Sequence, residues 1–410
     1  MDRELHARLD DLQRDPYPAY TRARQTEGLT HLAELDAWLV ARDTDVREVL
    51  RRPEDFSSST ALRPDVLPVP AALAVLGGGF GGRPVVVTAD GAQHQQLRAP
   101  IVRGLSPSRV TAVLPYAAER AAALVDTFAD EQREHGHVEL MSAYARRLPG
   151  EVVGRIVGLD PADVPGVVHG GHRAEELLFR PLEEAEQIAA AEDVVAMQRT
   201  LDRYVQERHA HPGQDLCTEL IASVTDEGDG DLTLEHRHQL VAHLQNLLIA
   251  GHLTTTALIG TTVLHLLRHR DQWELLCAEP DRIPAAIEEA ARYDTSLQGF
   301  RRVTTRPVVL AGTELPAGAT LFVAFGAANR DEKRHARADV FDITRTPSRH
   351  LAFGFGVHSC PGSQLAREQL RLTLQELTTR LPGLRLAEDR PVTMRPTMIH
   401  RSPYALHLAW

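Results

Sequence analysis

Cys360 is the side chain in this sequence best placed for chemistry. It lies in Phe353-Gly-Phe-Gly-Val-His358-Ser-Cys360-Pro-Gly362, a glycine-hinged loop that opens directly into a helical pattern from Ser363 through Arg371. The amide-rich, positive end of such a helix stabilises a thiolate in front of it. Gly354 and Gly356 let the backbone fold closely around a flat partner and turn N–H groups toward the sulfur, which a Cβ would obstruct. The combination suits an anionic sulfur ligand for a metal. Two plainer readings of the same residues are a buried cysteine at a tight turn and a zinc site from His350, His358 and Cys360. The zinc site needs a fourth ligand, and none lies nearby in the sequence.

Three further constellations stand elsewhere. Glu289-Ala-Ala-Arg292 sets a carboxylate and a guanidinium three residues apart on one helix face, which by itself is an ordinary surface ion pair. His94-Gln-Gln-Leu-Arg98 puts an imidazole and a guanidinium one turn apart, donors suited to a ligand with two carboxylates. Ala250-Gly-His-Leu-Thr-Thr255 combines a residue without a side chain and a hydroxyl inside a long apolar helical pattern, which helix packing alone would also explain.

The cysteine loop resembles the haem-binding signature of cytochrome P450, F-x-x-G-x-[HR]-x-C-x-G, at every fixed position. The other constellations follow the motif order of that family, from about Asp15 to the C-terminal strand. The resemblance implies a soluble bacterial cytochrome P450, mainly α with small β-sheets, as a single haem-thiolate domain over 1–410. It implies haem b (iron protoporphyrin IX) with Cys360 as the iron ligand and Phe353 and Gly354 in the loop around it. His94, Arg98, Arg302 and His358 would meet the propionates. Glu289, Arg292 and Arg345 would form a structural triad that pins the chain before the cysteine loop. Ala250, Gly251 and Thr254 match the oxygen-side stretch A-G-x-[DE]-T: Gly251 would leave room for dioxygen and Thr254 would supply a hydroxyl. A c-type haem is excluded, since no C-x-x-C-H occurs.

One position departs from the family. Leu253 stands where an acid relays protons, and leucine cannot relay one. His252 is adjacent but points about 100° away on a helix, toward a neighbouring helix. Protons would then reach Thr254 by water or by an acid from elsewhere.

By family position the substrate pocket would be walled by Leu76, Phe80, Leu178, Phe179, Leu247, Leu297, Gln298, Met398 and Ile399, an apolar cavity with one orienting amide. The implied activity is that of a monooxygenase using O2 on a small-molecule or carrier-bound substrate, by analogy in bacterial secondary metabolite biosynthesis. Electrons would come from ferredoxin and ferredoxin reductase, docking where Arg98, Arg103, Arg367 and Arg371 supply positive charge. Alternatives are an atypical oxidation on the same haem (C–C or C–N coupling, ring closure, peroxide-driven chemistry) and a non-catalytic haem-binding sensor.

The elements that must position these residues are largely helical. Apolar residues recur at three- and four-residue spacing from about Leu105 to Arg270, the longest run extending from Thr233 to His269. Short β segments are expected at Ala37–Ala41, Val303–Thr305, Val308–Leu310 and Thr320–Ala324. The stretch from Ser57 to Val87, with four prolines and the run Gly77–Gly82, is expected to be a flexible loop over the substrate pocket, with no Lys-Ser/Thr to make a phosphate loop.

Composition excludes several classes. A hydrophobic content of 43% in 410 residues supports a large core, and the net charge of −11 argues against nucleic acid as a partner. Cys217, Cys277 and Cys360 form no motif together, which suits a reducing, cytoplasmic setting. The charged N-terminus has no signal-peptide core, and no stretch is read as a membrane span.

Overall fold

The computed structural model describes residues 3–225 and 230–410. The chain divides into two compact units, one of Met1–Thr60, Leu114–Leu148 and Thr254–Trp410, the other of Ala61–Val113 and Pro149–Leu253. The helices that bear on the site are α1 (Asp43–Arg51), α2 (Pro70–Gly77), α3 (Gly91–Gly104), α4 (Arg147–Val157), α5 (Val164–Phe179), α6 (Glu184–Ala210), α7 (Leu234–Arg268), α8 (Ile283–Tyr293) and α9 (Ser363–Arg380).

Within the described residues, all strands fall in the first unit. They are β1 (Thr30–Leu32), β2 (Ala37–Val40), β3 (Phe56–Ser57), β4 (Val138–Glu139), β5 (Gly299–Thr304), β6 (Val308–Leu310), β7 (Thr313–Leu315), β8 (Thr320–Ala324), β9 (Arg385–Leu386) and β10 (His407–Ala409). The largest sheet has the order β1-β2-β8-β5-β3. Its centre is β8, antiparallel to β5 with Arg302 opposite Leu321, and parallel to β2 with Trp38 opposite Leu321. Val40, Phe56 and Val323, β-branched and aromatic residues that suit a pleated surface, bury together with Leu321, Leu50 and Leu351 as its core. That core backs the residues just before the cysteine loop. A two-stranded hairpin (β6, β7) and a three-stranded sheet (β4-β10-β9) complete the small β content.

The second unit is helical. α6 starts with a reciprocal cap, in which Glu183 and Glu186 each accept from the other's backbone N–H. Its apolar stripe of Ala190, Val194, Met197 and Leu201 packs with Val167, Leu177 and Leu244 from α5 and α7.

Strands appear at each expected position, and the longest helix is Leu234–Arg268. Two expectations are corrected. The stretch 57–87 is not all loop: Pro70 starts the eight-residue helix α2, its missing N–H costing nothing at a helix start. And α7 is long and apolar enough to cross a membrane, contrary to the reading that no stretch is; 78% of its most apolar window is buried inside the fold, as a core helix requires.

Candidate active site

In the first unit the cysteine loop is built by its glycines. Gly354 and Gly356 take φ of +70° and +73°, a region other residues avoid, and a Cβ on Gly356 would sit 2.6 Å from the Leu50 carbonyl at the end of α1. The turn closes through the Cys360 N–H, which donates to the Phe353 carbonyl at 2.8 Å. Cys360 is exposed, two residues before Gly362 at the N-terminus of α9. Arginines brace the flanks. Arg47 and Arg51 of α1 lie 5.3 and 5.4 Å from the Phe355 ring centre, and Arg367 lies 4.2 Å from that of Phe353. Arg367 also grips Glu288 with two bonds of 2.6 and 2.9 Å, and His350 Nε2 stands 3.1 Å from the same carboxylate. Burial opposes ionisation of Glu288, yet His350 and Arg367 lower its pKa to about 2. His358 Nε2 lies 2.9 Å from Ser58 Oγ. Arg302 is buried on β5 and donates to the Arg301 carbonyl at 2.8 Å.

Glu289 and Arg292 on α8 form a buried bidentate pair, both bonds 2.8 Å, and Arg345 Nε lies 3.2 Å from the same carboxylate. Arg292 spends its remaining donors on the carbonyls of Asn329, Ala338 and Val340, and Arg345 on those of Ala336, Arg337 and Val340. The buried Asn329 in turn accepts from the Leu351 N–H at 2.6 Å, which carries the network to the start of the cysteine loop. Thr254 on α7 is half-buried, and two residues on Thr256 donates to the Ala145 carbonyl at 2.8 Å.

In the second unit His94 and Arg98 stand one turn apart on α3, with His94 buried. Burial and the Arg98 charge both hold its imidazole toward the neutral form. His252 turns to α5, where its ring stacks edge-on against His172 at 5.1 Å and a Cβ on Gly171 would touch it at 2.8 Å. Its Nδ1 lies 2.6 Å from the Leu248 carbonyl. Leu253 is buried.

These residues fit a haem. The exposed thiol sits at a helix N-terminus in a loop bent by two left-handed glycines, and a flat dicarboxylate ligand calls for the cationic side chains present. Zinc fits less well: His350 is committed to Glu288, and among the described residues no three His, Cys, Asp or Glu side chains gather as a metal site.

A family model for cytochrome P450 matches residues 183–399. The steroid C26-monooxygenase of Mycolicibacterium smegmatis is 32% identical over 361 residues, 88% of this chain and 84% of that protein. This chain belongs to the cytochrome P450 family. Pentalenic acid synthase of Streptomyces avermitilis is 32% identical over 380 residues, covering 91% and 89%. A solved structure of cytochrome P450 CREJ in complex with (4-ethylphenyl) dihydrogen phosphate superposes with a TM-score of 0.90 over 97% of this chain and 98% of that one, at 28% identity. The fold is therefore that of a cytochrome P450, the chain is a P450 monooxygenase, and the family's cofactor is haem iron.

Several of the expected residues also have packing and bonding of their own. A Cβ on Gly251 would lie 2.8 Å from Val153 of α4, so close helix packing by itself excludes a side chain there. Phe80 is half-buried. Its ring packs on His238 at 5.0 Å and under the Arg237 guanidinium at 5.5 Å, near the N-terminus of α7. The glycine run before it is docked, since the Phe80 N–H donates to Gln198 Oε1 at 2.8 Å and a Cβ on Gly79 would collide with that oxygen. Gln198 passes the bond on to Gln245 of α7 at 2.8 Å, and Arg83 clasps Glu235 through bonds of 2.7 and 2.6 Å.

Gln298 is buried, and its Nε2 donates to the Thr295 carbonyl at 2.8 Å and to Tyr17 Oη at 3.3 Å. Phe179, Met398 and Ile399 are likewise buried among protein atoms, whereas Leu76, Leu178, Leu247 and Leu297 keep some exposure. Arg367 and Arg371 are each paired, with Glu288 and Glu368, which tempers the positive charge expected of them. Asn329, Glu288 and Ser58 were missed from the sequence. Only Glu288 gave a signal, as the neighbour of Glu289.

Proposed function

We propose that this P450 binds haem b through the Cys360 thiolate, takes electrons from a ferredoxin, and inserts one oxygen atom of O2 into an organic substrate. Arg302 and His358, with His94 and Arg98, are the proposed propionate donors, and the whole chain is proposed to act as one haem-thiolate domain. The observation that carries this reading is the exposed Cys360 at the start of α9, in a loop shaped by Gly354 and Gly356. When bound, haem iron with a thiolate ligand supplies the oxidising power.

The chain's own residues do the rest. Thr254 offers a hydroxyl from α7, and the buried, apolar Leu253 beside it leaves water to bring protons to that hydroxyl. The relatives' names, a steroid monooxygenase and a pentalenic acid synthase, support an apolar substrate of natural-product type.

The test is spectroscopic and chemical. Wild type should give the ferrous–CO band of a thiolate-ligated haem, and Cys360→Ala should lose it while keeping its helical circular dichroism. An unchanged band in Cys360→Ala would refute the ligand assignment. Labelled dioxygen should leave one labelled atom in the product. A second reading, oxidative coupling or ring closure without oxygen insertion, is favoured by Leu253 in place of the acid, and a product free of label would establish it.

A further inference from the structure

Glu288 on α8 has two arms that both end on the cysteine loop. One is Arg367 of α9, whose Nε and Nη2 donate to the carboxylate at 2.6 and 2.9 Å while its guanidinium lies 4.2 Å from the centre of the Phe353 ring. The other is His350. The Ala352 N–H donates to its Nδ1 at 3.2 Å, so that nitrogen is bare and the ring hydrogen sits on Nε2, which donates to Glu288 at 3.1 Å. The arms therefore reach the loop at Ala352 and at Phe353, and the Phe353 carbonyl takes the Cys360 N–H. Every one of these residues belongs to the first unit.

An ordinary surface ion pair joins one side chain to another and does little more. Here three N–H groups from two separate segments converge on one carboxylate, whose side chain is only 23% exposed. With its pKa lowered to about 2, Glu288 is an anion at neutral pH, and its charge offsets that of Arg367 next to the loop. A glutamine in its place could not serve both arms, since it keeps one accepting oxygen and turns the other into a donor.

We propose that Glu288 is a positioning residue for the haem-thiolate: it holds Arg367 and His350 on the cysteine loop, and its negative charge balances that of Arg367 beside that loop. The inference rests on the haem-thiolate reading and adds to it a group that tunes the haem without touching it. The sign of the tuning follows from charge. Reduction adds an electron, so an unbalanced cation nearby favours the reduced form and an unbalanced anion the oxidised one. Glu288→Gln leaves Arg367 unbalanced, and Arg367→Gln leaves Glu288 unbalanced. Bonds that only kept the loop in shape would not produce shifts of opposite sign that cancel.

The test is a redox titration of the substrate-free holoenzyme, followed by the haem absorption bands. The midpoint potential should rise in Glu288→Gln, fall in Arg367→Gln, and in the double variant return to within half of the larger single shift. Shifts of the same sign in the two single variants, or a double variant further from wild type than either, overturn the proposal. Arg367→Gln changes the half-exposed end of the pair and carries the charge test alone if Glu288→Gln does not fold; a potential that stays level or rises in it overturns the balance. The ferrous–CO band reads the positioning. In mild urea the thiolate-type band should be lost about threefold faster or more in Glu288→Gln than in wild type, the effect of one partly exposed charged hydrogen bond, and a rate equal to wild type overturns that role. Absence of the ferrous–CO band in wild type would instead overturn the haem-thiolate reading beneath it.

Discussion

At position 251 packing alone demands a missing side chain. The stiff, β-branched Val153 stands 2.8 Å from where a Cβ would be, so packing of α7 on α4 already forbids one. Gly251→Ala should therefore destabilise the fold by about 1–3 kcal/mol, the usual result of overpacking, and Val153→Ala in the same chain should restore most of it. Thermal unfolding of the two single variants and the pair decides the matter. If Val153→Ala brings no recovery, the glycine is there for another reason. Packing accounts for Phe80 in the same way, since its ring meets Arg237 and His238.

Among the elements, the link between α8 and the cysteine loop runs through Asn329. Its side-chain oxygen meets the Leu351 N–H, while its own carbonyl receives Arg292. Asn329→Ala would strand a buried backbone N–H at a cost of about 1–3 kcal/mol, and haem should be lost faster from the variant with the Glu289–Arg292 pair still intact. Haem transfer to an acceptor protein measures this, and an unchanged rate would show that the loop holds its shape alone. This element also shows what was legible beforehand. Glu289 and Arg292 are three apart on a helix, so their meeting is written in local spacing, and Arg345 follows in family order. Asn329 serves a backbone group 22 residues away and Ser58 a side chain 300 away. Asparagine and serine are common in any loop, so nothing local marks these two, and only the folded chain brings their partners near. The amphipathic helices and the β segments after Ser296 were legible because their periodicity is local too. Helix α2 was not: eight residues rich in alanine and leucine after two prolines carry no clear period.

For the whole molecule, acid is the expected weakness. The buried Asp294 accepts from Tyr17 at 2.6 Å, Arg401 at 2.9 Å and His265 at 2.7 Å, tying the N-terminal region, α7 and the C-terminal segment together. Burial opposes its charge, but Arg401 and His265 hold the carboxyl well below the usual range. His335 and His243 are both pushed down to about 4, by burial first. Below pH about 6.5 the unfolded chain binds protons at these histidines before the folded one does, so stability should fall as pH drops toward 4. Below about 4.5 the carboxylates Glu288 and Asp294 add to the loss, because they too take up protons more readily when unfolded. Urea midpoints measured from neutral pH downward should decline throughout that interval, and a flat profile between pH 7 and 5 would contradict the assignment of neutral histidines. Asp294→Asn should cost about 3–5 kcal/mol at neutral pH, since it leaves Arg401 buried without its counter-charge; a melting temperature within a degree or two of wild type would contradict it.

Gln198 holds the Phe80 N–H from 118 residues away and hands the bond to Gln245. Mutant libraries for altered turnover are commonly aimed at the loop that is to move. Here such a library over Gly77–Pro84 would randomise the strap and leave its buckle untouched. Diversifying Gln198, Glu235 and Gln245 with the loop sequence fixed is the smaller search, and the one that acts on what keeps the strap fastened.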